Sequence, residues 1–255
     1  MWTRAELKER AKAVLRGNYW KAFLISLVIG FTTGGSGGGS GSSWRTGGNF
    51  TDFDRYGLGS SREISALIAL VLGAVAFAFI VGIAIDILLL SPLQVGGRRY
   101  FIQSAQYFDN RGCFRFAFDS YNWKGIAGSM FLMKLYVFLW TLLLIIPGIV
   151  KGYAYSMVPY ILADNPNIGA RRAIELSDNM TRGHKWDMFV LRLSFIGWYL
   201  LGVLCFFIGG IFVQPYENAT FAELYLTLRQ NAIESGMCSL SELNLYYPDQ
   251  EEYNF

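Results

Sequence analysis

An apolar segment of 22 uncharged residues, 64–85, limits how this chain can fold more than any other feature. Two further segments, 125–146 and 189–213, are interrupted by one charge each, Lys134 and Arg192. A helix needs about 20 apolar residues to cross the hydrocarbon core of a bilayer. Only 16% of the residues are charged, against about 25% in soluble domains. The chain is therefore predicted to be an all-α, polytopic helical membrane protein.

Basic residues are concentrated in two regions that we expect to face the cytoplasm. Residues 1–21 hold six of them and residues 91–124 hold five: Arg4, Lys8, Arg10, Lys12, Arg16 and Lys21, then Arg98, Arg99, Arg111, Arg115 and Lys124. Because Lys and Arg are enriched in the cytoplasmic loops of membrane proteins, the N-terminus is predicted to be cytoplasmic. Membrane topology explains this basic charge, so no nucleic-acid partner is expected.

Two amphipathic helices, 3–16 and 167–182, are predicted to lie at the inner membrane surface. The first begins with a capping box formed by Thr3 and Glu6, and its apolar residues recur at helical spacing. The second divides into an apolar face and a charged face in the same way. An amphipathic helix next to a membrane segment most simply binds along the lipid surface.

The same short motif follows both surface helices. Residues 16–23 and 182–189 fit the pattern R-G-x-x-W-x-x-F, which leads from a polar helix into an apolar segment. A looser version of the motif contains Trp123. Since tryptophan favours the headgroup level of a bilayer, Trp20, Trp123 and Trp186 are predicted to mark the inner interface.

These landmarks predict three helical hairpins, each entered from the cytoplasm. Turns that contain glycine or proline follow Trp123 and Trp186 at a distance of about one bilayer crossing. The six predicted crossings are 18–33, 64–90, 125–146, 149–163, 187–208 and 211–228. A five-crossing alternative ends the fifth helix outside the cell and leaves the C-terminal region external.

Two segments are not expected to contribute to the helical core. Residues 34–61 are rich in glycine and serine, which is typical of flexible coil, and this segment is predicted to be an external loop. The acidic tail, 234–255, is predicted to be disordered. A single integral membrane domain is therefore expected over residues 1–233.

Six ionisable residues fall inside the predicted crossings: Asp86, Lys134, Lys151, Arg192, Glu217 and Glu223. Charges are costly in lipid, so such residues usually face a partner or a functional cavity. We predict an inner-leaflet polar cluster drawn from Asp86, Lys134, Arg192 and Glu223, in which Arg192 pairs with Asp86 or Glu223. A second pair, Lys151 with Glu217, is predicted near the outer turns. The alternative is that all six form structural ion pairs, or that the lysines extend to the interface.

The sequence contains no recognisable catalytic, cofactor-binding or metal-binding site. The one histidine, His184, follows Gly183 at a helix end, where its expected role is to cap backbone carbonyls. Cys113, Cys205 and Cys238 are isolated, so neither a zinc site nor a redox pair is predicted. There is no glycine-rich phosphate-binding motif. The chain is not expected to be an enzyme.

Four segments together resemble a known family. They are MWTRAELKERAKAVLRGNYWKAFL, the Gly/Ser-rich loop, ILADNPNIGARRAIELSDNMTRGHKWDMF, and LSFIGWYLLG followed by PYENATFAELY. Over nearly its whole length the chain is similar to the bacterial integral membrane proteins of domain-of-unknown-function family 975. This resemblance implies a bacterial cytoplasmic membrane protein without an assigned activity. A weaker similarity to the membrane portion of bacterial glycerophosphodiester phosphodiesterases, without their catalytic domain, implies only a membrane module.

Two classes of function are consistent with these features. The leading expectation is a non-catalytic membrane module that binds anionic lipid headgroups or a membrane protein partner, without a cofactor. The alternative is a small transporter or channel in which Asp86, Lys134, Arg192 and Glu223 line a polar route. A transporter needs a water-accessible cavity that reaches these charges, whereas a module would pack them against one another.

Overall fold

The computed structural model describes residues 2–33, 61–204 and 209–245, and this part of the chain is helical without any β-strand. The helices in chain order are α1 (Arg4–Thr33), α2 (Ser61–Ile85), a π-helix (Asp86–Leu90), α3 (Ser91–Ala105), α4 (Cys113–Phe118), α5 (Ser120–Leu143), α6 (Ile145–Ala154), α7 (Val158–Asp164), α8 (Ala170–Met180), α9 (Lys185–Leu204) and α10 (Gly209–Glu234). The all-α fold class is therefore confirmed. Most of the predicted Gly/Ser-rich loop, Cys205 and residues 246–255 lie outside the described residues.

Two helical stretches in the described part of the chain are long and apolar enough to cross a membrane. They are Ile68–Ala105 and Ser120–Leu143. The apolar side chains of α2 are exposed along its described length, as Leu70 and Phe77 illustrate. In α5 the first half is largely buried, whereas the second half carries exposed apolar residues such as Phe138 and Leu142. These two stretches support an association with the membrane.

The helix that begins with α2 does not end at residue 90, where the predicted crossing ends. It continues through the π-helix into α3 and ends at Ala105. Pro92 is tolerated because it occupies the first turn of α3, where its missing N–H removes no hydrogen bond. Arg98 and Arg99 lie in α3 among buried side chains, and the expectation that residues 91–124 face the cytoplasm stays a prediction.

The core forms where α3, α7 and α10 meet, and these helices contact one another and α1 or α8. The side chains of α7 from Val158 to Ala163 are all buried. A helix with apolar residues on every side must be surrounded by protein or lipid. Phe101 of α3 and Tyr225 of α10 are among the largest fully buried side chains. The most internal helix is thus also one of the shortest.

The N-terminal amphipathic helix and the first predicted crossing are joined as one helix, α1. Non-helical backbone angles at Asn18 (φ −134°, ψ 26°) introduce a kink between them. The predicted cap is confirmed, since the Glu6 N–H donates to Thr3 Oγ1 at 3.3 Å. The apolar face, which we expected to contact lipid, is buried by protein: Leu7, Ala11 and Leu15 are at most 7% exposed.

The second amphipathic helix, α8, is also confirmed as a helix with one apolar face. It lies between Gly169 (φ +90°) and Gly183 (φ +84°), two positions where glycine permits the left-handed backbone region. Ser177, on the buried face, donates from Oγ to the Ala154 carbonyl at 2.7 Å. The Met157 N–H donates to the same Ser177 oxygen at 3.2 Å. The face that we expected to contact lipid therefore packs against α6 and α7.

The predicted crossing 149–163 is divided into two short helices, α6 and α7, with a turn between them. The close turn from α5 into α6 requires Gly148, because a Cβ there would overlap Thr141. The predicted pair 187–208 and 211–228 corresponds to α9 and α10, with residues 205–208 outside the described part of the chain.

The first part of the tail 234–255, which we predicted to be disordered, is instead packed on the core. Cys238 and Leu243 are buried. Arg172 Nε donates to Glu242 Oε1 at 2.6 Å, and this bond lowers the pKa of the Glu242 carboxyl. The prediction of disorder is therefore wrong for residues 235–245.

Candidate functional site

Asp86 and Lys134, two members of the predicted polar cluster, form an ion pair. Lys134 Nζ lies 2.6 Å from Asp86 Oδ2 and 3.1 Å from Ser91 Oγ. The Ser91 hydroxyl donates to the Asp86 carbonyl at 2.9 Å. The two charged side chains are each 34% exposed. The contact joins the start of the π-helix to the middle of α5.

The π-helix that begins at Asp86 has a second contact with α5. Trp123 Nε1 donates to the Leu88 carbonyl at 2.9 Å. A π-helix shifts the backbone hydrogen-bond register by one residue and occurs most often at functional sites. Trp123, predicted as an interface anchor, thus holds this irregular turn against α5. Trp20 and Trp186 are 70% and 71% exposed, and their role as interface anchors stays a prediction.

Arg192 does not pair with Asp86 or Glu223, so the predicted partner is wrong. Its Nε lies 3.7 Å from Glu217 Oε1. The other carboxylate oxygen of Glu217 accepts a hydrogen bond of 2.5 Å from the Tyr199 hydroxyl. Half of the Arg192 side chain is exposed. This residue therefore joins α9 to α10 through a loose ion pair.

Glu223, the fourth member of the predicted cluster, is separate from the other three. It is 6% exposed, and its carboxylate has no hydrogen bond or ion pair with a described residue. At about 100° per residue, the six positions between Glu217 and Glu223 rotate the side chain by about 240° around α10. The two carboxylates therefore face different directions, and the four candidates do not form one cluster.

The predicted pair between Lys151 and Glu217 is also wrong. Lys151 Nζ lies 3.0 Å from Asp178 Oδ2, and Lys185 Nζ lies 2.7 Å from Asp178 Oδ1. Partial burial would raise the pKa of Asp178, but the hydrogen bonds from the two lysines outweigh it and lower the pKa. One carboxylate of α8 therefore connects α6 with α9.

Two charged residues that we did not predict as site residues form the most buried ion pair in the described part of the chain. Arg229 Nη1 lies 2.9 Å from Asp164 Oδ2, and both side chains are 8% exposed. The Tyr225 hydroxyl donates to the same carboxylate oxygen at 2.6 Å. Arg99 donates to the Ala163 carbonyl and lies over a neighbouring aromatic ring. Asp164 and Arg229 each lie one residue beyond a predicted crossing, where a charge gives no signal of burial.

Arg98 is a second arginine of α3 that is partly buried and contacts residues of other helices. Its Nη1 donates to Asn218 Oδ1 at 2.6 Å, and Asn218 Nδ2 donates to Ser26 Oγ at 3.0 Å. The guanidinium carbon lies 5.1 Å from the centre of the Tyr160 ring. The Nε atom is buried without a hydrogen-bond acceptor. One feature of the sequence that could have indicated packing at Arg98 is the preceding pair Gly96–Gly97, because glycines permit a close approach of helices.

An open pocket of about 590 Å³ lies where α4 meets α5. It is lined by Gly112, Arg115, Phe116, Phe118, Asp119, Ser120 and Asn122. None of the predicted cluster residues is among them. Within the described residues, no three His, Cys, Asp or Glu side chains are grouped so that they could hold a metal ion.

Comparison with known proteins gives one match. The family model described as "Protein of unknown function (DUF975)" matches residues 49–232, which is more than two-thirds of the chain. Neither the curated proteins nor the solved structures contain a match. The family that the sequence segments suggested is thus confirmed, and the weaker similarity to phosphodiesterase membrane domains stays a prediction.

Proposed function

We propose that this chain, which belongs to the DUF975 family of proteins of unknown function, is a non-catalytic module of the bacterial cytoplasmic membrane. In this proposal its apolar helices cross the bilayer, and its polar end binds anionic lipid headgroups or a partner protein at the inner leaflet. No chemical step is assigned to it.

The observation that carries the proposal is the exposure of large apolar side chains along α2 and the second half of α5. Leu72, Phe79, Ile80 and Leu143 are each more than 60% exposed. Soluble monomers rarely expose contiguous apolar patches of more than a few hundred Å². In water the exposure of these apolar side chains is unfavourable. In a bilayer it is not, because the side chains then contact lipid acyl chains.

The topology that we propose has six crossings in three hairpins, with the N-terminus and C-terminus in the cytoplasm. Contacts between α5 and α6 and between α9 and α10 support the second and third hairpins. In the second hairpin only the first arm, α5, is long enough to cross a bilayer. The second arm begins with α6, which extends only about 15 Å, and Lys151 of α6 contacts the same Asp178 carboxylate as Lys185 at the start of α9. The exposed face of α1 changes from the basic residues Lys12 and Arg16 to the apolar residues Trp20 and Leu24, as expected at a membrane boundary.

The pairing of the charges favours a non-catalytic membrane module over a transporter or channel. Asp86–Lys134, Glu217–Arg192, Asp178 with its two lysines and Asp164–Arg229 are separate contacts on different helices. The described pocket reaches none of these residues. The exposed basic residues on α1 supply positive charge that attracts anionic lipid, at about 1 kcal/mol per residue near the surface.

The topology is tested by labelling with a membrane-impermeant maleimide in a cysteine-free background. Lys21→Cys and Asp187→Cys, next to the two tryptophans of the repeated motif, should react only after the cells are permeabilised. Ser43→Cys, in the predicted external loop 34–61, should react in intact cells. Labelling of Lys21→Cys and Asp187→Cys from opposite sides of the membrane would refute the hairpin arrangement.

A small transporter or channel is the second candidate, and the π-helix is the observation that favours it. Interrupted helices next to charged residues are typical of transporter sites, and Asp86 and Lys134 are both partly exposed there. Proteoliposomes loaded with a pH-sensitive dye would test this function. Ion flux that is abolished by Asp86→Asn with Lys134→Gln would favour the transporter, whereas equal leakage with and without the wild-type protein would contradict it.

A further inference from the structure

The polar side chains between α3, α7, α9 and α10 hold more positive charge than their own carboxylate neutralises. We infer that the niche formed by Arg98, Tyr160, Arg192, Glu217 and Asn218 binds a phosphate group through its two arginines. The source of the phosphate is an anionic phospholipid headgroup, and for this source the inference rests on the proposed function. A free phosphate ion has the same chemistry, and the experiment below separates the two sources.

Arg98 is the inner cation of the niche, and its charge is not compensated by the described residues. No carboxylate of the described chain lies within 4.0 Å of its guanidinium group. That group donates a hydrogen bond to the Asn218 carboxamide oxygen. Its Nε is buried without an acceptor. Arginine stays protonated in proteins, so it cannot avoid the cost of burial by losing its proton. Arg98 is partly buried, and a charge that is partly removed from water without a carboxylate partner favours the binding of an anion.

Arg192 is the outer cation of the niche, and its carboxylate is shared. The distance of 3.7 Å from Arg192 to Glu217 is longer than a hydrogen bond. Tyr199 already donates to Glu217 at 2.5 Å. Because Glu217 has one negative charge, it cannot neutralise both Arg192 and Arg98. The three groups together carry a net charge of +1.

The two arginines belong to one niche because they contact adjacent residues of α10. Arg98 Nη1 donates to Asn218 Oδ1, and Arg192 Nε lies 3.7 Å from Glu217 Oε1. The Arg98 guanidinium carbon also lies 5.1 Å from the centre of the Tyr160 ring. Aromatic rings form the walls: the Arg192 guanidinium carbon lies 5.2 Å from the centre of the Phe221 ring. The exposed half of the Arg192 side chain is on the surface of α9, which gives a ligand access from the lipid side.

A phosphate group fits this arrangement better than a second carboxylate. The planar guanidinium group binds phosphate oxygens through two parallel N–H groups, and it is less strongly hydrated than an ammonium group. A phosphodiester carries a single negative charge, which matches the net charge of the niche. Arg192 lies about 9 Å beyond Trp186 along α9, at about 1.5 Å per residue. This depth is within reach of a headgroup that enters between exposed helices.

The test uses the full-length protein in nanodiscs of phosphatidylcholine with and without phosphatidylglycerol. The variants are Arg98→Gln and Arg192→Gln, and the matched control is Arg182→Gln. All three variants lose one positive charge. Arg182 is a suitable control because it is exposed and its side chain donates to Asn179, outside the niche. Native mass spectrometry measures the phosphatidylglycerol that each protein retains. We expect Arg98→Gln and Arg192→Gln each to weaken retention by about tenfold, and Arg182→Gln to match the wild type.

A second measurement keeps the inference testable if Arg98→Gln does not fold. Arg192 is half exposed, so Arg192→Gln should fold with its core intact. The thermal unfolding midpoint is compared in sodium phosphate and in sodium chloride of equal ionic strength. Stabilisation of the wild type by phosphate, lost in Arg192→Gln but kept in Arg182→Gln, would support the niche as a site for free phosphate even without a lipid preference.

The outcomes distinguish this inference from the proposed function. If the wild type prefers phosphatidylglycerol and both niche variants keep that preference, the niche is refuted while lipid binding stands. If the wild type shows neither a lipid preference nor stabilisation by phosphate, both the niche and the lipid-binding role are refuted. Equal losses in Arg192→Gln and Arg182→Gln would show a general charge effect and would also overturn the niche.

Discussion

Asp178 should stabilise the fold by holding three helices together, and its replacement by asparagine tests this directly. Its two carboxylate oxygens accept hydrogen bonds from Lys151 of α6 and Lys185 of α9, at 3.0 and 2.7 Å. Asparagine has nearly the same shape but no charge. The variant therefore removes the ionic part of both contacts and leaves the packing of α8 unchanged.

The expected loss follows from the burial of the three side chains. A hydrogen bond to a charged group contributes about 1.5–3 kcal/mol when buried, and an exposed ion pair contributes about 0.2–1 kcal/mol. Since these side chains are 25–29% exposed, we expect a total loss of about 2 kcal/mol. At about 2–4 °C per kcal/mol for a protein of this size, the unfolding midpoint at pH 7 should fall by about 4–8 °C.

The pH dependence of this loss has a definite sign. The hydrogen bonds from the lysines lower the pKa of Asp178 in the folded protein against the opposing effect of burial. The stabilisation is therefore complete above the unfolded-state pKa of about 3.9 and is lost as the pH falls through the lower folded-state value. The difference between the wild type and Asp178→Asn should be constant from pH 6 to 8, values that lie above both pKa values, and should shrink below about pH 4.

Thermal unfolding followed by intrinsic fluorescence in one detergent measures the difference. Asp187→Asn is the matched control, because its carboxylate is 53% exposed and lies 4.0 Å from His184 Nδ1. The control should change the midpoint by less than about 2 °C. The reasoning is refuted if the two variants behave alike at pH 7, or if the deficit of Asp178→Asn grows as the pH is lowered.

Three further predictions follow from single contacts. Trp123→Phe removes the hydrogen bond to the π-helix and should lower the unfolding midpoint by about 2–4 °C, measured in the same thermal assay. Gly125→Ala places a Cβ against a backbone carbonyl of the α7–α8 connection, whereas Gly128→Ala meets no atom within 4 Å, so only the first should destabilise the protein, by about 1–3 kcal/mol. Arg229→Met leaves Asp164 buried without its ion pair and should cost about 3–5 kcal/mol, seen as a sharp drop in the yield of folded protein in detergent.

The amphipathic helices show what the sequence can predict and where the prediction ends. The apolar faces of α1 and α8 were predictable because helical periodicity is a local property of neighbouring residues. The partner of each face was not predictable, since lipid and protein select the same pattern of apolar residues. Leu7 and Leu176 are buried by protein, although nothing in their spacing distinguishes the two environments.

The charged residues were harder to place because a partner depends on the relative position of distant helices. Asp86 and Lys134 were both recognised as candidates, and the structure pairs them across 48 positions of the chain. The contacts of Arg98 and Arg99 with core residues were not predictable, because the positive-inside rule counts basic residues without regard to whether a helix continues through them. Glu217 and Glu223 were predicted in separate groups, but the partner of each carboxylate was not predictable, because it depends on how α10 packs against α8 and α9.

The distribution of these charges bears on the choice between a membrane module and a transporter. Three of the carboxylates join different helices: Asp86 connects the π-helix to α5, Asp164 connects α7 to α10, and Asp178 connects α8 to both α6 and α9. Breaking an ion pair that connects two helices destabilises the fold. A transport cycle that exposed each of these charges to a substrate would therefore have to break contacts between helices at several points. Arg98 differs from these residues, since it forms no ion pair with a carboxylate of the described chain. An anion bound to Arg98 would give this residue the opposite charge that the other paired residues already have. In our inference a ligand can therefore bind in the niche around Tyr160 without breaking an ion pair between helices.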